Sequence, residues 1–296
     1  MSIDSSQLAT LAAVVEEGTF EAAARTLHVT PSAVSQRIKA LEQTVGQVLV
    51  RRTRPCRATD AGKPLLRLAG QVALLETEAV NAAEGQIGGG HVRTRVAVVV
   101  NADSLATWFL TALAALPDPT VSFDLREDDE DHTAELLRDG TVMAAVTADN
   151  VAVQGCRIER LGAMRYFAAA SPALADRMFP TGPTADALAD APMIVFNRKD
   201  RLQHRFVRSV TRRRLDPPIH YVPSGAAFLE AIRLGLGWGM LQEQLAVHEL
   251  AAGRCVRLDD RRHLDVPLYW QHWRLESAVL SSLTASVMAA AAASLR

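Results

Sequence analysis

The run Gly88-Gly89-Gly90 is the strongest constraint on the fold: three consecutive glycines support neither helix nor strand and act as a hinge between two differently patterned segments. Upstream, apolar residues recur at helical spacing. Downstream, Val96-Ala97-Val98-Val99-Val100 is an unbroken apolar stretch of the kind buried on both faces of a parallel sheet. With 296 residues, 49% of them apolar, the chain has material for more than one core, and wholesale disorder is excluded. It opens without a basic leader, and no stretch reaches the ~18 uninterrupted apolar residues of a membrane helix. A cytoplasmic protein with no membrane partner is expected. Cys56, Cys156 and Cys255 are far apart, odd in number and without metal-ligand spacing, so they read as reduced structural residues.

In the upstream segment, Leu8, Leu11, Ala12 and Val15 predict a first helix with that stripe inward, ended by Gly18. Thr19 is placed to cap a second helix, whose inward residues are Phe20, Ala23, Ala24 and Leu27. His28-Val29 forms a turn. Thr30-Pro31 then opens a third helix, with threonine as cap and proline at the first helical position, where a missing N–H costs nothing. Val34, Ile38 and Leu41 turn inward there, which leaves Ser32, Ser35, Gln36 and Lys39 on the outer face. Serine and glutamine can bond base edges in a major groove, while Arg37, Lys39 and the helix start at Thr30-Pro31 engage phosphates.

A formal net charge of −1 conceals an uneven distribution. From Arg25 to Arg67 there are nine basic residues against Glu42 and Asp60, an excess of seven positive charges. Such an excess displaces condensed counterions from phosphates and makes binding salt-sensitive. Val48-Leu49-Val50 and Cys56-Arg57-Ala58-Thr59 read as short strands around the tip Arg51-Arg52-Thr53-Arg54-Pro55. Arg51, Arg52 and Arg54 on such a wing can enter a minor groove or clamp its phosphates. Residues 1–58 are therefore expected to form a winged helix-turn-helix that binds double-stranded DNA.

Residues 59–87 read as a linker, with a helix from about Asp60 to Gln86 capped by Thr59. Its stripe, Leu65, Leu68, Val72, Leu75 and Ala79, cannot be buried by one helix alone. Pairing with the same helix of a second subunit is the expected remedy. The hinge covers 88–93, and 94–296 form the second major region.

That region alternates strands and helices: a strand to Val100, a helix from about Ser104 to Leu116, a strand near Val121 to Arg126, a helix near Thr133 to Asp139 and a strand near Val142 to Thr147. A further series runs from Leu161-Gly162-Ala163 through Met193-Ile194-Val195-Phe196 to a helix from Gly225 to Leu236. Two α/β lobes are expected, one from about 94–161 with 267–296, the other from about 162–266. Ligands of parallel sheets sit beyond the carboxyl ends of strands, facing helix N-termini. That rule selects Asn101, Asp103, Ser104, Glu127, Asp128, Thr147, Phe196 and Ser224 as effector-binding candidates. Carboxylates of the run Glu127-Asp128-Asp129-Glu130-Asp131 would favour a cationic ligand, with Ser104 or Ser224 and their helix starts holding a carboxylate.

The order Gly18-Thr19-Phe20, Ala22-Ala23-Ala24-Arg25, Leu27-His28-Val29-Thr30, Ser32-Ala33-Val34-Ser35, Ile38-Lys39-Ala40-Leu41-Glu42 and Thr59-Asp60-Ala61-Gly62 resembles the signature of LysR-type transcriptional regulators. Pro31 stands where glutamine is common in that family, and Val50 where phenylalanine anchors the wing. The resemblance implies an α+β protein with an N-terminal winged helix-turn-helix, a dimerising linker helix and a two-lobed sensor like periplasmic binding proteins. It also implies homodimers that pair into tetramers. Asn101 to Trp108, Glu127 to Thr133 and Gly235 to Met240 further resemble the LysG/ArgP branch, whose effectors are lysine and arginine and whose targets are amino-acid export and metabolism genes.

Neither a nucleophile elbow, a metalloprotease helix, a phosphate-binding loop nor a dinucleotide fingerprint occurs. No catalytic residue, metal or cofactor is therefore expected. The alternative is an architectural or replication-origin DNA-binding protein without an effector.

Overall fold

The computed structural model describes residues 3–84, 93–116, 118, 120–127 and 130–296. The Gly88-Gly89-Gly90 hinge, the end of the linker and Asp128 lie outside the described residues. In order the chain forms α1 (Ser5–Glu17), α2 (Phe20–Thr26), α3 (Pro31–Val45), β1 (Val50–Arg51), β2 (Arg57–Ala58) and α4 (Lys63–Glu84). Then come β3 (Thr94–Val100), α5 (Ala102–Thr107), α6 (Phe109–Ala114), β4 (Val121–Glu127), α7 (Glu130–Arg138), β5 (Ala144–Thr147) and β6 (Cys156–Ala170). The remainder is α8 (Pro172–Met178), α9 (Ala185–Asp190), β7 (Met193–Val195), α10 (Leu202–Val210), β8 (Ile219–Tyr221), α11 (Gly225–Arg233), β9 (Gly239–Gln242), α12 (Glu243–Ala251), β10 (Val256–Arg257), β11 (Leu264–Trp273) and α13 (Ala278–Ser294).

Contacts group these elements into two compact units. The first holds Met1–Val100, Leu116–Glu159 and Trp270–Ala285; the second holds Asn101–Ala115, Arg160–Tyr269 and Ser286–Arg296.

In the first unit, α1, α2 and α3 close around Leu11, Val14, Ala23, Ala24, Val34, Ile38, Leu41 and Leu49. Seven of these eight have no exposed surface, and burying each side chain that is valine-sized or larger stabilises by roughly 1.5–3 kcal/mol. The α1 stripe differs from expectation. Leu8, Leu11 and Val14 are buried with Thr10 and Ala13, whereas Ala12 and Val15 are only half-buried. Thr10 fits inside because its Oγ1 donates to the Ser6 carbonyl at 2.7 Å.

Thr59 does not cap α4 directly. It accepts the Gly62 N–H at 3.1 Å in the turn that precedes the helix and donates to the Val48 carbonyl at 2.7 Å. Leu65 and Leu66 pack on the three-helix core, while Ala69 and Leu74 are buried. A Cβ on Gly70 would lie 2.7 Å from the Trp273 ring, so glycine is what lets that indole seat on the helix. Leu68 and Leu75, two turns apart on one side of the helix, remain exposed, as does Val80.

The sheet of the first unit has β3 between β4 and β5, both parallel to it, with Thr94 opposite Val121 and Val98 opposite Ala144. Only the second half of β3 is buried throughout. Arg95 points to solvent and pairs with Glu16 of α1 and with Asp124 of β4. The second unit is not the simple parallel series expected. Its long β6 pairs antiparallel with β9 and β10, while β7 and β8 pair parallel and Met193 makes a parallel bridge to Trp238. The expected helix from Ser104 to Leu116 is two short ones, divided at a fully buried Trp108.

Candidate functional site

Helix α3 is built from its own ends. Thr30 accepts the Ala33 N–H at 3.2 Å and meets the Ser32 hydroxyl at 2.9 Å, Pro31 occupies the first turn, and Gly46 closes the far end at φ +77°. With Val34, Ile38 and Leu41 buried, Thr30, Pro31, Ser32, Gln36 and Lys39 are exposed, and Ser35 and Arg37 half-exposed beside them. The predicted outer face is thus one continuous surface, free of carboxylates. The turn before it depends on His28, which adopts φ +53°, a left-handed conformation that histidine tolerates better than most residues.

The wing is fastened to this helix. Glu42 Oε1 on α3 accepts the Leu49 N–H at 2.8 Å at the root of β1, and the Cys56 N–H donates to the Gly18 carbonyl at 2.7 Å on the other side. At the tip, Arg51 and Arg54 project into solvent. Arg52 is exposed as well but lies over the Phe20 ring, 4.9 Å from its centroid, so one of the three expected wing arginines rests against α2. Two of the nine basic residues also turn elsewhere. Lys63 pairs with Asp60 and Glu135, and Arg67 donates to the carbonyls of Gln154 and Gly155. The remaining cations still outnumber the carboxylates of that segment, so the surface keeps its phosphate affinity.

In the second unit the candidates Asn101, Asp103 and Ser104 sit together at the start of α5. Asn101 Oδ1 caps the helix by accepting the Ser104 N–H at 2.8 Å, so Ser104 does not open that helix and its N–H is not available to an anion. Its hydroxyl is fully buried with no partner among the described residues. Asp103 accepts hydrogen bonds from the Tyr166 hydroxyl at 2.5 Å and from the Gln242 side-chain amide. Both donors are neutral, and together they orient the carboxylate. Local patterning could not find Tyr166 and Gln242, which lie 63 and 139 residues away along the chain. Phe196, half-buried, packs on the cluster that includes Phe228 of α11, and its N–H donates to Asp200. Ser224 precedes α11, exposed and without a side-chain cap bond. In the first unit, Thr147 is buried at the end of β5 and accepts the Asp149 N–H, while Glu127 is exposed at the end of β4. Among the described residues no group of three or more His, Cys, Asp or Glu side chains could hold a metal ion, and no helix is long and apolar enough to cross a membrane.

A winged helix-turn-helix with an open polar recognition face, joined through a long helix to α/β units, defines a DNA-binding transcriptional regulator. Residues 5–63 match the bacterial regulatory helix-turn-helix proteins of the lysR family, and residues 89–292 match the LysR substrate binding domain. The chain belongs to the LysR family. It is 54% identical over 291 residues to the transcriptional regulator LysG of Mycobacterium tuberculosis, covering 98% of this chain and 94% of that one. The crystal structure of ArgP from Mycobacterium tuberculosis superposes with a TM-score of 0.90 at 53% identity, over 100% of this chain and 99% of that one. Full-length LysG from Corynebacterium glutamicum, solved with its bound effector Arg, gives a TM-score of 0.79 at 41% identity, covering 99% of each chain.

Proposed function

We propose that the protein is a cytoplasmic, non-enzymatic regulator that binds its operator as a homodimer and responds to lysine or arginine, controlling genes of amino-acid export or metabolism. The carboxylate-free outer face of α3, flanked by the arginine wing, carries the DNA-binding part of this reading. Ser32, Ser35 and Gln36 read bases; Thr30, Pro31, Arg37, Lys39, Arg51 and Arg54 meet phosphates, and Arg52 joins them when it leaves Phe20. Residues 1–58 act as the reader, 59–87 as the dimerising linker, 88–93 as the hinge and 94–296 as the sensor. The exposed row at Leu68 and Leu75 supports pairing of two α4 helices, and the dimers pair into tetramers.

Effector contacts in the second unit are assigned to Asn101, Asp103, Ser104, Phe196 and Ser224, with the Asp103 carboxylate suited to an ammonium or guanidinium group. Glu127, Asp128 and Thr147 are the corresponding candidates in the first region. The effector Arg of the Corynebacterium glutamicum relative supports the same ligand class here. The test is thermal melting with each amino acid, followed by a genome-wide footprint with and without lysine and arginine. Either basic amino acid should raise the melting temperature by mass action and redistribute the footprint. Equal melting with all amino acids, together with an unchanged footprint, would leave the architectural alternative.

A further inference from the structure

The second unit carries a basic surface that the helix-turn-helix does not account for. Between Arg198 and Arg214 there are eight arginines and lysines and a single carboxylate, Asp200, an excess of seven that equals the excess found between Arg25 and Arg67. Asp200 accepts the backbone N–H groups of Phe196 and Leu202, which fixes its carboxylate at the start of the helix, and its single negative charge is already counted in that excess. Arg213 pairs with Asp186, and Arg198 lies over the Tyr221 ring. Arg201, Arg205, Arg208, Arg212 and Arg214 are all exposed and have no ion-pair or hydrogen-bond partner among the described residues.

The fold gives this charge a direction. Helix α10 buries Gln203, Phe206 and Val207, with Phe206 against the Trp238 ring, and thereby turns the opposite face outward. Arg201 at the helix start, Arg205 and Arg208 recur at spacings of four and three on that face, a row of about 10 Å along the axis. One strand of duplex DNA presents a phosphate every ~3.4 Å of helix axis, so such a row spans about three phosphates. Guanidinium groups suit them, because each can bond a phosphate through two parallel N–H donors.

We infer that the arginine row of α10 is a second, sequence-independent contact surface for the phosphate backbone of double-stranded DNA. It adds affinity and salt dependence without adding base preference, because contacts to phosphate oxygens carry no sequence information.

The test uses the full-length protein, a long random-sequence duplex as probe, and the triple variants R201Q/R205Q/R208Q and R201K/R205K/R208K. The plot of log affinity against log salt should lose about three units of slope in the glutamine variant. Between roughly 50 and 200 mM KCl the wild-type affinity should then fall about 40-fold more than the variant's. The lysine variant, which keeps the charge, should retain the slope, and all three proteins should melt alike. An unchanged slope in a folded glutamine variant overturns the inference, as does loss of binding to polyglutamate with DNA binding intact, which would mark an acidic protein as the partner. Neither result touches base reading by α3, which is followed separately through Gln36.

Discussion

Glu42 on the recognition helix accepts the backbone N–H of Leu49 at 2.8 Å, so the wing is hydrogen-bonded to the helix it accompanies. Among the described residues that carboxylate makes the one side-chain bond from α3 itself to the wing, beside the Cys56–Gly18 backbone bond and the buried Leu49. Glu42→Ala leaves the Leu49 N–H without that partner and should cost about 1–2 kcal/mol of stability. DNA affinity should fall by more than the loss of folded protein explains. Glu42→Gln, which keeps an acceptor, should restore most of both. Chemical denaturation beside gel shift checks this, and equal affinity of the alanine variant per folded molecule would refute it.

Gln36 and Arg54 should behave differently. Gln36→Ala removes a base contact and should cost about 1–3 kcal/mol of discrimination between operator and random DNA. Arg54→Ala should weaken both DNAs alike and flatten the salt slope by about 0.9. Phe20→Leu takes away the ring beneath Arg52 and should alter the salt slope while barely changing site preference. Titrations at several salt concentrations separate these outcomes.

His28 at φ +53° is the hinge of the helix-turn-helix. His28→Gly should be tolerated, since glycine adopts that conformation without strain. His28→Val should destabilise by roughly 1–2 kcal/mol, because a β-branched residue is forced into the left-handed region. Urea unfolding of both variants decides the matter.

In the second unit Glu249 is almost fully buried and bonded to both Arg254 and Arg233. Bonds from Arg254 and then Arg233 hold its carboxyl down at about 2, against an ordinary 4.5. A carboxyl depressed in the folded state contributes stability that is present above 4.5 and is lost as the pH falls toward about 2. The wild type should therefore lose stability steeply across that window, and Glu249→Gln should flatten the loss while lowering stability at neutral pH by about 1–3 kcal/mol. Denaturation at a series of acidic pH values is the measurement.

Leu68 and Leu75 lie exposed on α4. Leu75→Asp should dissociate the dimer, with a smaller change in the melting of the single chain than a core substitution would bring, because this side chain keeps 39% of its surface exposed within it. Sedimentation beside calorimetry would show a lighter particle of similar Tm, and an unchanged mass would reject the pairing.

The recognition helix was legible because its information is local. Thr30, Pro31, Val34, Ile38 and Leu41 name its start and its buried side within twelve residues, and the structure keeps both. The α1 stripe is only partly legible: the pattern points to Ala12 and Val15, and the structure buries Ala13 and Val14. Thr10 looked polar to a periodicity count, yet its hydroxyl is satisfied by the turn before it and is fully buried. The division of the Ser104 to Leu116 segment at Trp108 was also hidden, since an indole fits the helical pattern and only burial shows where it must go.

The chain's own order of residues determined the winged helix-turn-helix, the long linker helix and the strand-helix alternation, because periodicity and capping act between neighbours a few residues apart. Tertiary structure alone decided that Arg67 bonds the Gln154 and Gly155 carbonyls, that Arg52 rests on Phe20, and that Tyr166 and Gln242 orient Asp103. Those partners are brought together by burial of apolar faces far apart in the chain, and nothing in the local pattern records which polar side chains that packing makes neighbours.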